Sequence, residues 1–177
     1  MKLKVFSSFL LSFAIVATSV SWTFAEGEED TKQAALNNIS QNCASIKLQL
    51  QRTQKEDSRM RVHLGAQYET ISTNLMQNLN IRLVRNNMSD PNLAEQQIAF
   101  ASERDRFKDE FTSYSQELDK LIKIDCKTDP QKFYDKLQTV RSKRDELYKT
   151  TQRLRTIVTT HHSTINTMIE GLNDGKK

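Results

Sequence analysis

The chain is 177 residues long, with 37% apolar and 27% charged residues, four glycines and two prolines, Pro91 and Pro130. This length suits a single domain, and the apolar share is below that of an ordinary globular domain. Sandwich, barrel and dinucleotide-binding folds need many tight turns, which glycine and proline supply. We therefore exclude those folds and predict an all-α protein of a few long helices with two breaks.

The charge balance argues against a nucleic-acid partner. The formal net charge is +4, and it falls to +2 when Lys2 and Lys4 in the N-terminal segment are set aside. Nucleic-acid-binding domains concentrate Lys and Arg on one face, whereas acidic and basic residues are mixed along this chain. We expect no nucleic acid among the partners.

The first 25 residues have the three parts of a secretory signal peptide. Two lysines precede an apolar stretch, Val5–Val20, and the small residues Thr23 and Ala25 fit a cleavage site before Glu26. An uncleaved membrane anchor is the alternative, because the apolar stretch approaches the length of a membrane span. On both interpretations the rest of the chain is extracytoplasmic, and membrane contact involves this segment alone.

Cys43 and Cys126 are the two cysteines of the chain. In an exported protein such a pair is expected to form a disulfide. A bond between them would close a loop of about 80 residues and constrain the unfolded chain. Two unpaired thiols, or a bond between two chains, are the alternatives.

The first predicted helix covers residues 31–87, after a flexible acidic start at residues 26–30. Its run of four-residue steps resembles a stutter, which locally unwinds a supercoil. Apolar residues recur along it in steps of three and four: Leu36, Ile39, Cys43, Ile46, Leu50, then Met60, Leu64, Tyr68, Ile71, Leu75, Leu79 and Leu83.

The second and third helices are predicted over residues 91–124 and 130–172, followed by a polar tail at 173–177. Pro91 suits a first helical turn, with Ser or Asp as its cap. Short breaks favour antiparallel neighbours, so we expect an up-down-up bundle or coiled coil in which residues 31–45 extend past the second helix. The second helix has a heptad repeat: Leu93, Phe100, Phe107, Tyr114 and Leu121.

A polar stretch interrupts the apolar seam of the first helix. Residues 51–59 contain no apolar side chain, and Asp57 falls at a seam position. Arg144 of the third helix would lie within about a turn of it. A buried Asp57–Arg144 pair would fix the register of the helices more than it stabilises them. A frayed, solvated segment is the alternative.

The positions of the histidines and carboxylates are more typical of packing and solvated surface than of metal binding or catalysis. His161 lies on the apolar seam and is predicted to pack there, and its neighbour His162 points about 100° away, so the two cannot share a metal. The carboxylates between residues 103 and 110 alternate with basic residues, as on a solvated helix face. Catalytic and phosphate-binding motifs are missing from the sequence. We expect no enzyme, no metal and no cofactor.

Two stretches of the sequence, Arg61–Leu83 and Ile124–Leu137, resemble segments of known proteins. They are similar to small uncharacterised secreted helical proteins of Saccharibacteria, reduced bacteria that live on other bacteria. The resemblance implies an exported protein at the surface of a cell without an outer membrane. It implies no activity and assigns no functional residue.

The sequence favours a non-enzymatic structural or interaction protein of the cell envelope or surface, with a protein partner. The alternative is a holdase chaperone similar to the Skp type, which is also small, basic, exported and helical. That family has short β-strands where its chains join, and no segment here alternates with a period of two. Heptad repeats form contacts within one chain and between chains equally well, so the sequence is compatible with both a monomer and a homo-oligomer.

Overall fold

The computed structural model describes residues 26–174, and every regular element in this range is helical. The elements are α1 Glu26–Gln41, α2 Cys43–Glu69, a π-helical segment Thr70–Gln77, α3 Asn78–Arg85, α4 Pro91–Lys123 and α5 Pro130–Asp174. The predicted all-α class is confirmed. The expected cleavage position after Ala25 and the last three residues lie outside the described range. None of the described helices is long and apolar enough to cross a membrane.

Helix α1 begins earlier, and helix α5 ends later, than the sequence predicts. Helix α1 begins at Glu26, although residues 26–30 were expected to be flexible. A single residue, Asn42, separates α1 from α2, a break that no glycine or proline announces. At the other end, α5 passes Gly171 and continues to Asp174.

The π-helical segment changes which side chains face the core. The α-helical spacing predicts burial of Leu75, but this side chain is 58% exposed, while Ser72 and Met76 are buried. A π turn holds more residues than an α turn, so the inward-facing position moves along the chain. The core assignment of Leu75 is therefore wrong. Of the four-residue steps that resemble a stutter, the step from Ile71 to Leu75 lies in the π-helical segment, whereas the step from Leu64 to Tyr68 lies in α2.

The loop between α3 and α4 closes one helix and caps the next. Asn87 adopts a left-handed backbone conformation with φ 56°, which Asn tolerates better than most residues. The amide of Met88 donates to the carbonyl of Leu83 at 2.9 Å, as in a Schellman motif. The Asp90 side chain then accepts a hydrogen bond from the Asn92 amide at 2.7 Å, with Pro91 in the first turn. Asp90 is thus the predicted cap.

Helix α4 lies at the centre of the core, packed against α2 and the π segment on one side and α5 on another. The ring of Tyr68 meets Phe107 edge to face, with ring centroids 5.2 Å apart. Such aromatic contacts favour one arrangement of the two helices. All five residues of the predicted heptad are buried, as are two between them: Leu93, Phe100, Phe107, Phe111, Tyr114, Leu118 and Leu121.

Polar pairs join α4 to α5 along the edge of this core. Glu117 accepts a hydrogen bond from Lys136 Nζ at 2.8 Å, and Glu103 accepts one from Arg153 Nε at 2.8 Å. The contacts advance along α5 as they recede along α4, which is the pattern of antiparallel neighbours. The Glu103 side chain is 15% exposed, so it faces α5 and the solvated-face interpretation is wrong for it.

A disulfide joins the start of α2 to the loop between α4 and α5. Cys43 and Cys126 are bonded within one chain, 83 residues apart, and both are buried. Helix α1 packs against α5 instead of extending past the bundle, with Ile39 in the core and Lys32 Nζ 6.0 Å from the Tyr134 ring centroid. The start of α5 therefore covers α1, which the sequence analysis expected to extend past the second helix.

We predict that loss of the disulfide destabilises the fold without changing its helical structure. The Cys43→Ser/Cys126→Ser variant should unfold in urea with a free energy of unfolding lower by up to about 4 kcal/mol, because the unfolded chain loses a long closed loop. Reduction of the natural chain is the control and should give the same midpoint. Equal midpoints for the oxidised chain and the double variant would contradict this prediction.

Candidate functional site

Three polar side chains from three helices meet at one point, which we call the polar junction: Asp57 of α2, Tyr114 of α4 and Arg144 of α5. The Tyr114 hydroxyl donates a hydrogen bond to Asp57 Oδ2 at 2.6 Å. Arg144 Nη2 lies 3.4 Å from Asp57 Oδ1. The structure thus brings together the two residues of the predicted Asp57–Arg144 pair and adds Tyr114 as a third.

The polar junction is unevenly exposed. The Asp57 side chain is 13% exposed, whereas that of Arg144 is 59% exposed. Burial raises the pKa of Tyr114 well above its usual value, and the hydrogen bond to Asp57 raises it further. The phenol therefore keeps its proton and acts as a donor. An exposed ion pair adds little stability, so the short Tyr114–Asp57 hydrogen bond dominates the polar junction.

Beside the polar junction lies a cavity of about 210 Å³, which we call the central cavity. Helix α4 forms its floor, and α2 and α5 form its walls. Phe107 and Phe111 are buried in the floor, and Leu64 and Leu147 are half-buried in the walls. The central cavity is therefore mainly apolar.

Apolar and cationic side chains stand at the mouth of the central cavity. Met60 and Tyr148 line it and are 58% and 61% exposed. Met60 was predicted to lie in the seam, and that assignment is wrong. The Arg61 guanidinium carbon lies 5.4 Å from the centroid of the Phe111 ring, within the range of a cation–π contact. Among the described residues Arg61 has no carboxylate within ion-pair distance.

His161 lies away from this site, on the contact between α5 and α4. It is 7% exposed, and its Nδ1 lies 3.1 Å from Gln96 Oε1. Burial lowers the pKa of its imidazole. The side chain is packed in the interior, as its seam position predicts. No group of three or more possible metal-binding side chains occurs among the described residues.

Sequence reasoning missed Tyr114 and Arg61 as members of the site. The heptad identified Tyr114 as a core residue, and a buried tyrosine hydroxyl needs a hydrogen-bond partner, so that signal was present. Arg61 follows an exposed methionine and has no periodic signal of its own. Its position depends on how α2 lies across α4, which spacing along one helix does not determine.

Comparison with known proteins adds no relative. No family model matches the chain, and no significant match was found among curated proteins or solved structures.

We predict that Tyr114→Phe destabilises the protein by about 1–2 kcal/mol, because Asp57 loses the donor to a largely buried carboxylate. Arg144→Gln should cost less than about 1 kcal/mol, since the ion pair is exposed. Free energies of unfolding in urea measure both changes. Tyr134→Phe is the matched control, because that hydroxyl makes no hydrogen bond among the described residues. Equal losses for Tyr114→Phe and Tyr134→Phe would refute the prediction.

We also predict that His161 contributes a pH dependence to stability. Its pKa is lower in the folded chain than the ordinary value of 6.5, so the unfolded chain binds the proton more readily. Stability should therefore fall as the pH drops below about 6.5. Urea midpoints between pH 8 and 5 should decline less steeply in His161→Gln than in the natural chain. His162→Gln, at an exposed neighbour, should retain the full slope.

Proposed function

We propose that this chain is an exported, non-enzymatic helical protein of the cell envelope or surface that acts by binding a partner protein. Its N-terminal segment has the pattern of a signal peptide, and a buried disulfide is compatible with an oxidising location outside the cytoplasm. The resemblance of two stretches to secreted proteins of Saccharibacteria supports the surface of a cell without an outer membrane.

One observation carries the proposal: large apolar side chains remain exposed outside the buried core cluster. Within the described range, Val62, Val84 and Ile98 are 72%, 62% and 69% exposed, while the α4 heptad is buried. A partner that covers these side chains would remove their apolar area from water, which favours association. The polar junction supports a structural role for its three side chains, because their contacts join α2, α4 and α5.

The heptad of α4 and its polar pairs to α5 support a coiled-coil arrangement of these two helices. Under this proposal the apolar seams are filled within one chain. Partners then bind at the outer surface rather than by exchange of helices.

A holdase chaperone is the second candidate, and the open central cavity is the observation that favours it. Met60 and Tyr148 expose apolar surface between α2 and α5, where an unfolded client could lie. Such a chaperone would form an oligomer around its client, in the manner of the Skp type.

The absolute mass in solution separates these candidates. The full chain, expressed with its own N-terminal segment in an exporting host and kept oxidised, should be monomeric by light scattering on a sizing column. The reason is that the α4 heptad is already buried within one chain. Mass spectrometry of the same sample should show a chain beginning at Glu26.

A stable dimer or trimer would contradict the proposal and favour the holdase. The holdase further requires that the chain suppress aggregation of an unfolded client at equal molar amounts. A chain retained in the cytoplasm with an intact N-terminus would refute export.

A further inference from the structure

We propose that the central cavity binds a small anionic amphiphile, with an apolar tail inside and a carboxylate at the mouth. The inference concerns a ligand rather than a protein partner, so it stands whether or not the proposed function is correct. It depends on three features of the cavity: its size, its apolar floor and the cations at its mouth.

The size of the central cavity fits a short acyl chain. A cavity of about 150 Å³ suffices to hold benzene when its walls are apolar. The central cavity measures about 210 Å³, so it accommodates a chain or ring modestly larger than benzene. It is smaller than the sites of about 300 Å³ and above that hold drug-sized ligands.

The floor and the mouth favour an apolar tail. Phe107 and Phe111 present aromatic surface from α4, and Leu147 adds aliphatic surface from α5. Met60 and Tyr148 at the mouth are more than half exposed, so a tail seated between α2 and α5 would bury apolar area that water now contacts. Burial of that area is the driving force for binding.

The charges at the cavity select an anion. Asp57 is already engaged, by the Tyr114 hydroxyl on one oxygen and by Arg144 near the other. Arg61 and Arg144 both line the cavity, so two guanidinium groups accompany one carboxylate. A guanidinium binds a carboxylate through charge-assisted hydrogen bonds. The net positive charge therefore favours a carboxylate head group over a neutral or cationic one.

Titration calorimetry with octanoate, using the oxidised full chain from an exporting host, tests this inference. We expect one octanoate per chain. Octanol and octylammonium have the same tail with a neutral and a cationic head, and should bind at least about fivefold more weakly. Acetate, which has the head without the tail, should show no saturable binding.

Two arginine variants locate the head group. Arg61→Gln and Arg144→Gln should each weaken octanoate binding about fivefold and leave octanol binding unchanged. Arg59→Gln is the matched control, because Arg59 is exposed on the same helix and does not line the central cavity. Circular dichroism verifies the fold of each variant, and Arg61→Gln leaves the polar junction intact.

Several results would overturn the inference. These are absence of octanoate binding, equal binding of octanol and octanoate, or equal weakening by Arg59→Gln and Arg61→Gln. Binding to phosphatidylglycerol vesicles without binding of free octanoate would also overturn it, since the ligand would then be a membrane surface.

Discussion

The aromatic heptad of α4 is the constraint on which the rest of the structure depends. Its large side chains need apolar cover on more than one side, and a single neighbouring helix covers only part of the circumference of α4. Helix α2 with the π segment covers one side and α5 covers another. The two flanking helices are thereby held on α4 rather than tightly on each other. The central cavity lies in the space that this arrangement leaves between them.

Polar groups then determine how the helices align. Apolar side chains of similar size tolerate sliding by a turn, whereas a buried carboxylate without a donor is costly. Asp57 has its donor only where α2 passes Tyr114. On the other side, Glu103 and Glu117 meet Arg153 and Lys136 in a single register of α4 against α5. Specificity of alignment therefore comes from a few partly buried charges, and cohesion comes from the aromatic core.

The sequence was sufficient for the all-α class, for the breaks near Pro91 and Pro130, and for the burial of the α4 heptad, because each depends on local periodicity or turn chemistry. The sequence prediction was wrong at Leu75, because the π-helical segment changes which side chains face the core. It also missed the helix break at Asn42, where neither glycine nor proline is present. It also failed at the central cavity. Arg61 and Met60 line that cavity because α2 packs on α4 beside α5, a tertiary arrangement that the spacing along one helix does not determine.

The disulfide determines how the chain carries a mechanical load. A force applied between the N-terminal and C-terminal ends reaches Cys43 through α1 and passes directly to Cys126, so the 83-residue span between them carries no tension. Helices α2, α3 and α4 lie within that bypassed span, while α1 and α5 lie in the path of the force. Among the described residues, only α1 and α5 could then detach and lengthen under load, and the covalent loop would limit the extension.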